Sequence, residues 1–483
     1  MLILYKSIIA FFTAHSHQIA LALVVIVSVL SLSSCVASVD NSIKHRQIEI
    51  PISNNNFHEG IRQLTLLQDD VNPLYDEKNA ISLFLDKGFL EHYAGEYRES
   101  AQSLLFAERS IQEAFTKSIS ENVLSYILND NTKEYPGEDF EDIYLSVFNA
   151  INFFKQGSID GALVEVRKLT LPSGKLDMLG RKYDVNNEKL IKHGENEMNM
   201  VETDEEASKP EKKAVTFTNS ALARYLSVLF YQADGNHDAV RIELNQLKNA
   251  YSTQPGIYTS VLPNAVAYLS SPTNDKERLD ILCFTGLSPI KVERIITLYF
   301  PFFNESINRY HTLRVPALVT RANRIDRVEV EADGMKYELE LLEDMGAVII
   351  DTFNARYSNI FLKTYIRTLI KLSLADIAAT ETRKRTRNMG TGGSLLNLAS
   401  AIGSRLLVEA SEGADIRMSR YLPNKVYVGN ITLAQGTYDV TINYYAGNRL
   451  VNSESHRDVE IKRNTVNLLN TVNLDININY LGG

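Results

Sequence analysis

Residues 83–111 read LFLDKGFLEHYAGEYRESAQSLLFAERSI, and the reading of this stretch decides the fold. Gly88, Gly95, Tyr97, Leu104 and Ala107 fall at the spacing of a tetratricopeptide repeat, with Ser100 where a small residue is expected. Gly88 and Ala107 are small where two antiparallel helices would approach. Gly95 supplies the turn, and Tyr97 and Leu104 fill the space between the helices. The pattern returns at 145–169, LSVFNAINFFKQGSIDGALVEVRKL, around Gly157, with Ala150, Phe153, Ile159, Ala162 and Val166 at the same offsets. A third copy lies at 225–251, YLSVLFYQADGNHDAVRIELNQLKNAY, around Gly235, with Tyr231, Val240 and Leu244. The turn glycines are unevenly spaced, so the expectation is an irregular array of helical hairpins over residues 73–255. Such an array would offer a groove lined by the first helix of each hairpin. The charged, Asn-rich stretch at about 174–215 reads as a mobile insertion.

Past Tyr251 the pattern changes. RLDILCFTG, VERIITLYF, HTLRVPALV, DRVEVEADG and KYELELLED are β-branched and bounded by Gly, Pro or Asp, so each reads as a strand. Asp333-Gly334 is a hairpin-turn signal. Helical periodicity resumes from Ile349 to Arg387, closed by Gly390, and a second helix is expected over about 395–411. NKVYVGNITL, GTYDVTINYY, SHRDVEIKR and TVNLLNTVNL return to strand character. The expected fold class is therefore α+β. An N-terminal all-α tetratricopeptide-like hairpin array precedes a mixed α+β domain, residues 256–483, with helices at about 349–411. That domain would carry a small antiparallel sheet or sandwich.

The N-terminus carries an apolar run from Ile19 to Leu32, a length that suits a signal-peptide core and is short for a membrane span. It ends in Leu32-Ser33-Ser34-Cys35. An aliphatic residue, two small residues and a cysteine resemble a bacterial lipobox, with residues 1–34 as signal peptide and Cys35 as the acylated, palmitate-bearing N-terminus. Several acyl chains hold a protein on a bilayer far better than one. An uncleaved anchor reaching back to Leu2 is the alternative. Either way the body is expected outside the cytoplasm. Val36 stands where an inner-membrane retention Asp would be, which favours the outer membrane; the periplasmic face is expected over the cell surface. Residues 35–72 are polar and weakly patterned, and read as a flexible tether.

The chain has 483 residues and a formal net charge of −9, which argues against nucleic-acid binding. Two cysteines cannot make a disulfide framework, and Cys283 reads as a small buried hydrophobe. His-Glu-x-x-His, Gly-x-Ser-x-Gly and the phosphate-loop pattern are all missing from the sequence. GTGGS at 390–394 lacks the lysine and the preceding strand of a phosphate loop, so an interhelix turn is the better reading. The nine His are scattered, giving no zinc pattern and implying no metal or cofactor. NDNTKEYPGEDFE, 129–141, fails as a calcium loop because Lys133 and Glu134 stand where a ligand and the turn glycine belong. The basic cluster Arg383, Lys384, Arg385 and Arg387 could meet an anionic partner, although cations in a last helical turn also complement the helix dipole. Glu409, Glu412, Asp415 and Arg417 are acid–base candidates by composition alone.

Two blocks, 128–168 around Gly137, Glu138 and Asp139, and 412–440 around Asp415, Arg417 and Pro423, together resemble an uncharacterised family of bacterial lipoproteins with a tetratricopeptide-like N-terminal half. FTGLSPIK, with Gly286, Pro289 and Lys291, resembles a further element of that family. Met418 and Ser419 stand where an aromatic commonly follows the arginine. The resemblance implies an envelope role and no established catalytic activity. Two functions follow as expectations. One is a protein–protein interaction scaffold in envelope assembly or maintenance, held to the membrane by its lipid. The alternative is an envelope enzyme acting on cell-wall glycan or peptide, with a pocket at the junction of the two halves and Asp415 and Arg417 as its first residues to test.

Overall fold

The computed structural model describes residues 41, 43–119, 133–179, 213–270, 276–299, 310–386 and 413–476. The lipobox, including Cys35, the 395–411 helix, the 390–394 turn, Glu409, Glu412, Arg387 and the side chains of Arg383, Lys384 and Arg385 lie outside the described residues, as does the insertion from 180 to 212.

Helices come first. α1 spans 43–52 and α2 Phe57–Gln68; they are followed by α3 Ala80–Tyr93, α4 Tyr97–Ile119, α5 Asp139–Lys155 and α6 Ile159–Thr170. After the insertion come α7 Ala221–Ala233, α8 His237–Thr253 and the short α9 Asn264–Tyr268. α3/α4, α5/α6 and α7/α8 form three hairpins with one turn geometry. Gly95, Gly157 and Gly235 have φ of +80°, +79° and +74°. At each, the residue after the glycine donates its N–H five residues back, as Glu96 to Glu91, Ser158 to Phe153 and Asn236 to Tyr231. This αL turn satisfies helix-end carbonyls and admits glycine without strain. Ser158 and Asn236 then cap the following helices through Gly161 N and Ala239 N. Within the first hairpin a Cβ on Gly88 would lie 2.6 Å from Leu104, and Ser100 Oγ donates to Gly88 O at 2.7 Å.

Two expectations about this half are corrected. Residues 43–68 are not a tether: Ile48, Ile52, Phe57 and Leu64 are buried in the core. Their apolar side chains sit at helical spacing among the polar residues, and burying each of them outweighs the weak overall pattern. The insertion also begins later than expected, because residues 175–179 are helical, with Leu176 and Leu179 buried.

Among the described residues nine strands follow: β1 Glu277–Leu287, β2 Ile290–Tyr299, β3 Tyr310–Val319, β4 Arg327–Ala332 and β5 Met335–Asp344, then β6 Pro423–Leu433, β7 Gly436–Ala446, β8 Arg449–Ile461 and β9 Asn467–Asn473. Between β5 and β6 the chain forms the long α10, Met345–Thr386. Seven strands make one sheet in the order β8-β7-β4-β5-β6-β1-β9, antiparallel except for the parallel β1–β9 pair. It is nearly barrel-shaped, with β8 curling back toward β1. A small antiparallel sheet is thus not the main feature. β2 and β3 form a separate two-stranded ribbon. Asp333 and Gly334 both have positive φ in the β4–β5 turn, which is why that hairpin closes in two residues.

β1 explains how the halves join. Leu279, Ile281 and Cys283 face one cluster with Val328, Val330, Ile431 and Tyr444 inside the curled sheet. Leu282 and Phe284 alternate to the other face and belong to the cluster that runs through the hairpins. A strand buried on both faces must be apolar throughout, as LDILCFTGL nearly is. The helical and mixed halves therefore share a core across the expected boundary at 255/256. α5 is buried from Phe140 to Asn152, and α7 almost wholly from Ala221 to Tyr231. Among the described residues these two helices are largely buried, in one core with Leu282 and Phe284 of the sheet, and do not present the open face expected of them.

A third cluster stands apart. Ile296, Leu298, Leu313 and Val315 of the ribbon pack on Phe361, Tyr365 and Leu372 of α10. Ribbon and the middle of α10 form an arm around this cluster, while Met345, Val348 and Ile349 at the start of α10 belong to the main core. No helix among the described residues is long and apolar enough to cross a membrane.

Candidate functional site

The site is built from a buried strap. Residues 413–422 have no regular structure, yet Ala414, Met418, Ser419, Tyr421 and Leu422 are buried. Buried backbone without a ladder needs partners for its N–H and C=O groups. Side chains supply them. Ser419 N donates to Glu141 Oε1 at 2.5 Å and Arg420 N to Asp86 Oδ1 at 2.7 Å. Arg417 O accepts from Lys291 Nζ at 3.1 Å, Arg420 O from Arg321 at 2.6 Å and Tyr421 O from the Tyr93 hydroxyl at 2.9 Å. Leu422 O accepts from Ser288 N at 2.9 Å, just before Pro423 opens β6 opposite Leu287.

The loop before α5 meets this strap. Gly137 has φ +76°, and a Cβ there would lie 2.8 Å from Ile111, so both backbone and space require glycine. Glu141 reaches back to accept from Glu138 N at 2.7 Å and from the Tyr135 hydroxyl at 2.7 Å. With Ser419 N it therefore takes three donors, and it ties the loop to a strap 278 residues away in the chain. Burial, and then the charge of Glu138, push its carboxyl up to about 7. Burial and the same two carboxylates push the Tyr135 hydroxyl well above its ordinary value.

Between loop, strap and arm lies a cavity of about 470 Å³. Glu138 lines it, paired with Lys291 of β2 and, at 2.6 Å, with Arg356 of α10. One carboxylate thus holds both elements of the arm to the helical half. Lys291 has a side chain only 3% exposed, so this pair is desolvated. Arg417 grips Asp415 through Nε and Nη2, each at 2.8 Å, donates to Lys133 O at 2.8 Å and lies over the Tyr135 ring at 5.3 Å. Burial opposes ionisation of Asp415, but hydrogen bonds from Arg417 and the charges of Lys291 and Arg417 hold its carboxyl below the ordinary value. Arg356 stays charged beside Glu138 and Asp139. Lys133, Lys363 and Glu134 complete the charged lining.

The structure thus brings Glu138, Lys291, Asp415 and Arg417 onto one cavity. Gly137 and Asp139 shape the loop and the first turn of α5. Gly286, with φ +65° against Asn323, and the buried Pro289 carry the chain from β1 to Lys291, and Pro423 fixes the far end of the strap. Gly95, Gly157 and Gly235 belong to the hairpin turns and do not line the cavity. Cys283 is wholly buried, and burial pushes its thiol upward. Arg356, Tyr135 and Lys363 were not singled out from sequence. Arg356 sits in an ordinary-looking helical run and carries no local signal. Tyr135 and Glu141 lie inside a recognised loop, where the spacing of Glu141 after Glu138 has the form of a capping box.

No family model, no curated protein and no solved structure matches the chain.

Proposed function

We propose that the chain is a lipid-anchored envelope protein that works by binding, and that its ligand or partner enters at the loop–strap–arm cavity. The observation that supports this most is the pairing inside the cavity. Glu138 and Asp415, its two innermost carboxylates, are each held by cations. A general acid or base works best with a pKa near the operating pH. Asp415 is displaced the other way. Paired, pre-positioned charges suit recognition better than proton transfer. The hairpins support the same reading as tetratricopeptide-like elements, although their first helices serve the core. Attachment at Cys35, with the body at the periplasmic face of the outer membrane, rests on the Leu32–Cys35 pattern.

The test is in-cell crosslinking of the full chain followed by affinity capture under denaturing conditions. Recovery of a defined envelope partner supports the reading, and recovery of none counts against it. Loss of cell-wall hydrolysis in Asp415→Ala and Arg417→Ala variants that keep the fold would favour the enzyme alternative.

A further inference from the structure

We propose that the cavity between the Gly137 loop, the 413–422 strap and α10 is a receptor for an oxyanion, the carboxylate or phosphate group of a ligand. This rests on the binding reading above and names the chemistry of what is bound. The sequence as a whole is acidic, with a net charge of −9. The cavity lining reverses that sign. Among the described residues of the lining, five cationic side chains, Lys133, Lys291, Arg356, Lys363 and Arg417, face three acidic ones, Glu134, Glu138 and Asp415. Asp139, at the first position of α5, adds one more negative charge near Arg356 and does not cancel the excess. A cleft lined by one dominant sign with low-dielectric walls concentrates ions of the opposite sign.

The cations are also pre-organised. Arg417 is fixed on three sides by Asp415, the Lys133 carbonyl and the Tyr135 ring, so little side-chain freedom remains to be lost on binding. Lys291 is fixed by Glu138, the Arg417 carbonyl and the same ring at 6.0 Å. A guanidinium plane is suited to bidentate recognition of carboxylate or phosphate; in Arg417 the Asp415 carboxylate already holds that Nε–Nη2 edge, so an incoming oxyanion has to share or displace it. The volume of about 470 Å³ lies within the range of small-ligand sites. Glu138 competes with any incoming oxyanion for Lys291 and Arg356, and those two residues belong to the arm. Occupancy therefore shifts the balance that holds the arm to the helical half.

The experiment uses the purified full chain in neutral detergent at constant ionic strength. Inorganic phosphate and N-acetyl-dialanine, which carries a carboxylate and no free amine, are titrated separately against chloride, with binding read by calorimetry. The variant Lys133→Gln/Lys363→Gln removes two cations of the lining and substitutes no residue of the Glu138 and Asp415 pairs. Saturable binding of either probe, at least tenfold tighter than chloride and weakened at least fivefold in the variant, supports the proposal; the arm that binds says whether the group is phosphate or carboxylate. No saturable binding of either probe, or binding unchanged in a folded variant, overturns it. Should Lys133→Gln/Lys363→Gln not fold, Lys363→Gln alone carries the same comparison. A captured envelope partner with no oxyanion affinity would sink this inference and leave the binding reading standing.

Discussion

Replacing Glu138 by Gln changes one charge and almost no volume, and its consequence can be worked out from the structure. Glu138 is buried and carries Lys291 of β2 and Arg356 of α10 on one carboxylate. Removing one partner of a buried pair costs about 3–5 kcal/mol, because the remaining charge is left uncompensated. Asp139 and Asp415 still act on Arg356, so the lower end, about 3 kcal/mol, is expected. Lys291→Met leaves Glu138 with Arg356 and should cost less, about 1–2 kcal/mol. In Glu138→Gln/Lys291→Met the orphaned ammonium is gone, so the double variant should be less unstable than the sum by about 1–3 kcal/mol. Far-UV circular dichroism in urea reads the global effect, since the chain has no Trp to report by fluorescence. Native-state hydrogen exchange reads the local one. Amides of β2 and β3 should exchange faster in Glu138→Gln, while those of β4, β7 and β8 should not change. Single variants that each cost under about 0.5 kcal/mol, with additive effects, would refute the reasoning, for that is how exposed and independent charges behave.

Further outcomes follow from other parts of the molecule. The Glu141 carboxyl is raised from 4.5 to about 7, so the folded state binds its proton more tightly than the unfolded state. Its contribution is full below pH 4.5 and is lost as pH rises through 7, a swing of about 3 kcal/mol. Urea midpoints across that window should show it. Glu141→Gln should flatten the slope while lowering stability overall, because an amide cannot accept at both ends of the carboxylate's three-donor set. Gly157→Ala and Gly235→Ala should each cost about 1–2 kcal/mol, since both glycines have positive φ and open space around them, leaving backbone strain as the only penalty; equal thermal midpoints would contradict this. Gly88→Ala should cost about 1–3 kcal/mol for a different reason, overpacking against Leu104. Cys283 should resist a maleimide reagent in the native protein and react after unfolding, and fast native labelling at that position would contradict its place inside the curled sheet.

What was legible in the sequence had a local cause. Hairpin turns announce themselves because glycine takes φ near +75° without strain, so Gly95, Gly157 and Gly235 mark them one by one. Strands bounded by Asp333-Gly334 or by Pro423 were readable for the same kind of reason. Residues singled out in three separate blocks without a role, Glu138, Lys291, Asp415 and Arg417, all line one cavity. What was not legible depends on distant partners. α1 and α2 look like polar chain until their few apolar residues are seen buried in the core. The closing-up of seven strands depends on pairings such as β4 with β7 and parallel β1 with β9, which no local pattern specifies. Arg356 became a site residue only because α10 passes Glu138, 218 positions away in the chain. The hairpins' first helices look like a binding surface until they are seen buried in one core with Phe284, Val426 and Val428 of β1 and β6.

Site-specific photo-crosslinking in living cells, from position Lys363 on the cavity rim and from position Ile242 on the exposed side of α8, tests the binding account most directly. A discrete adduct from Lys363 and none from Ile242 is the predicted result. Adducts from Ile242 alone, or from neither position, would contradict it.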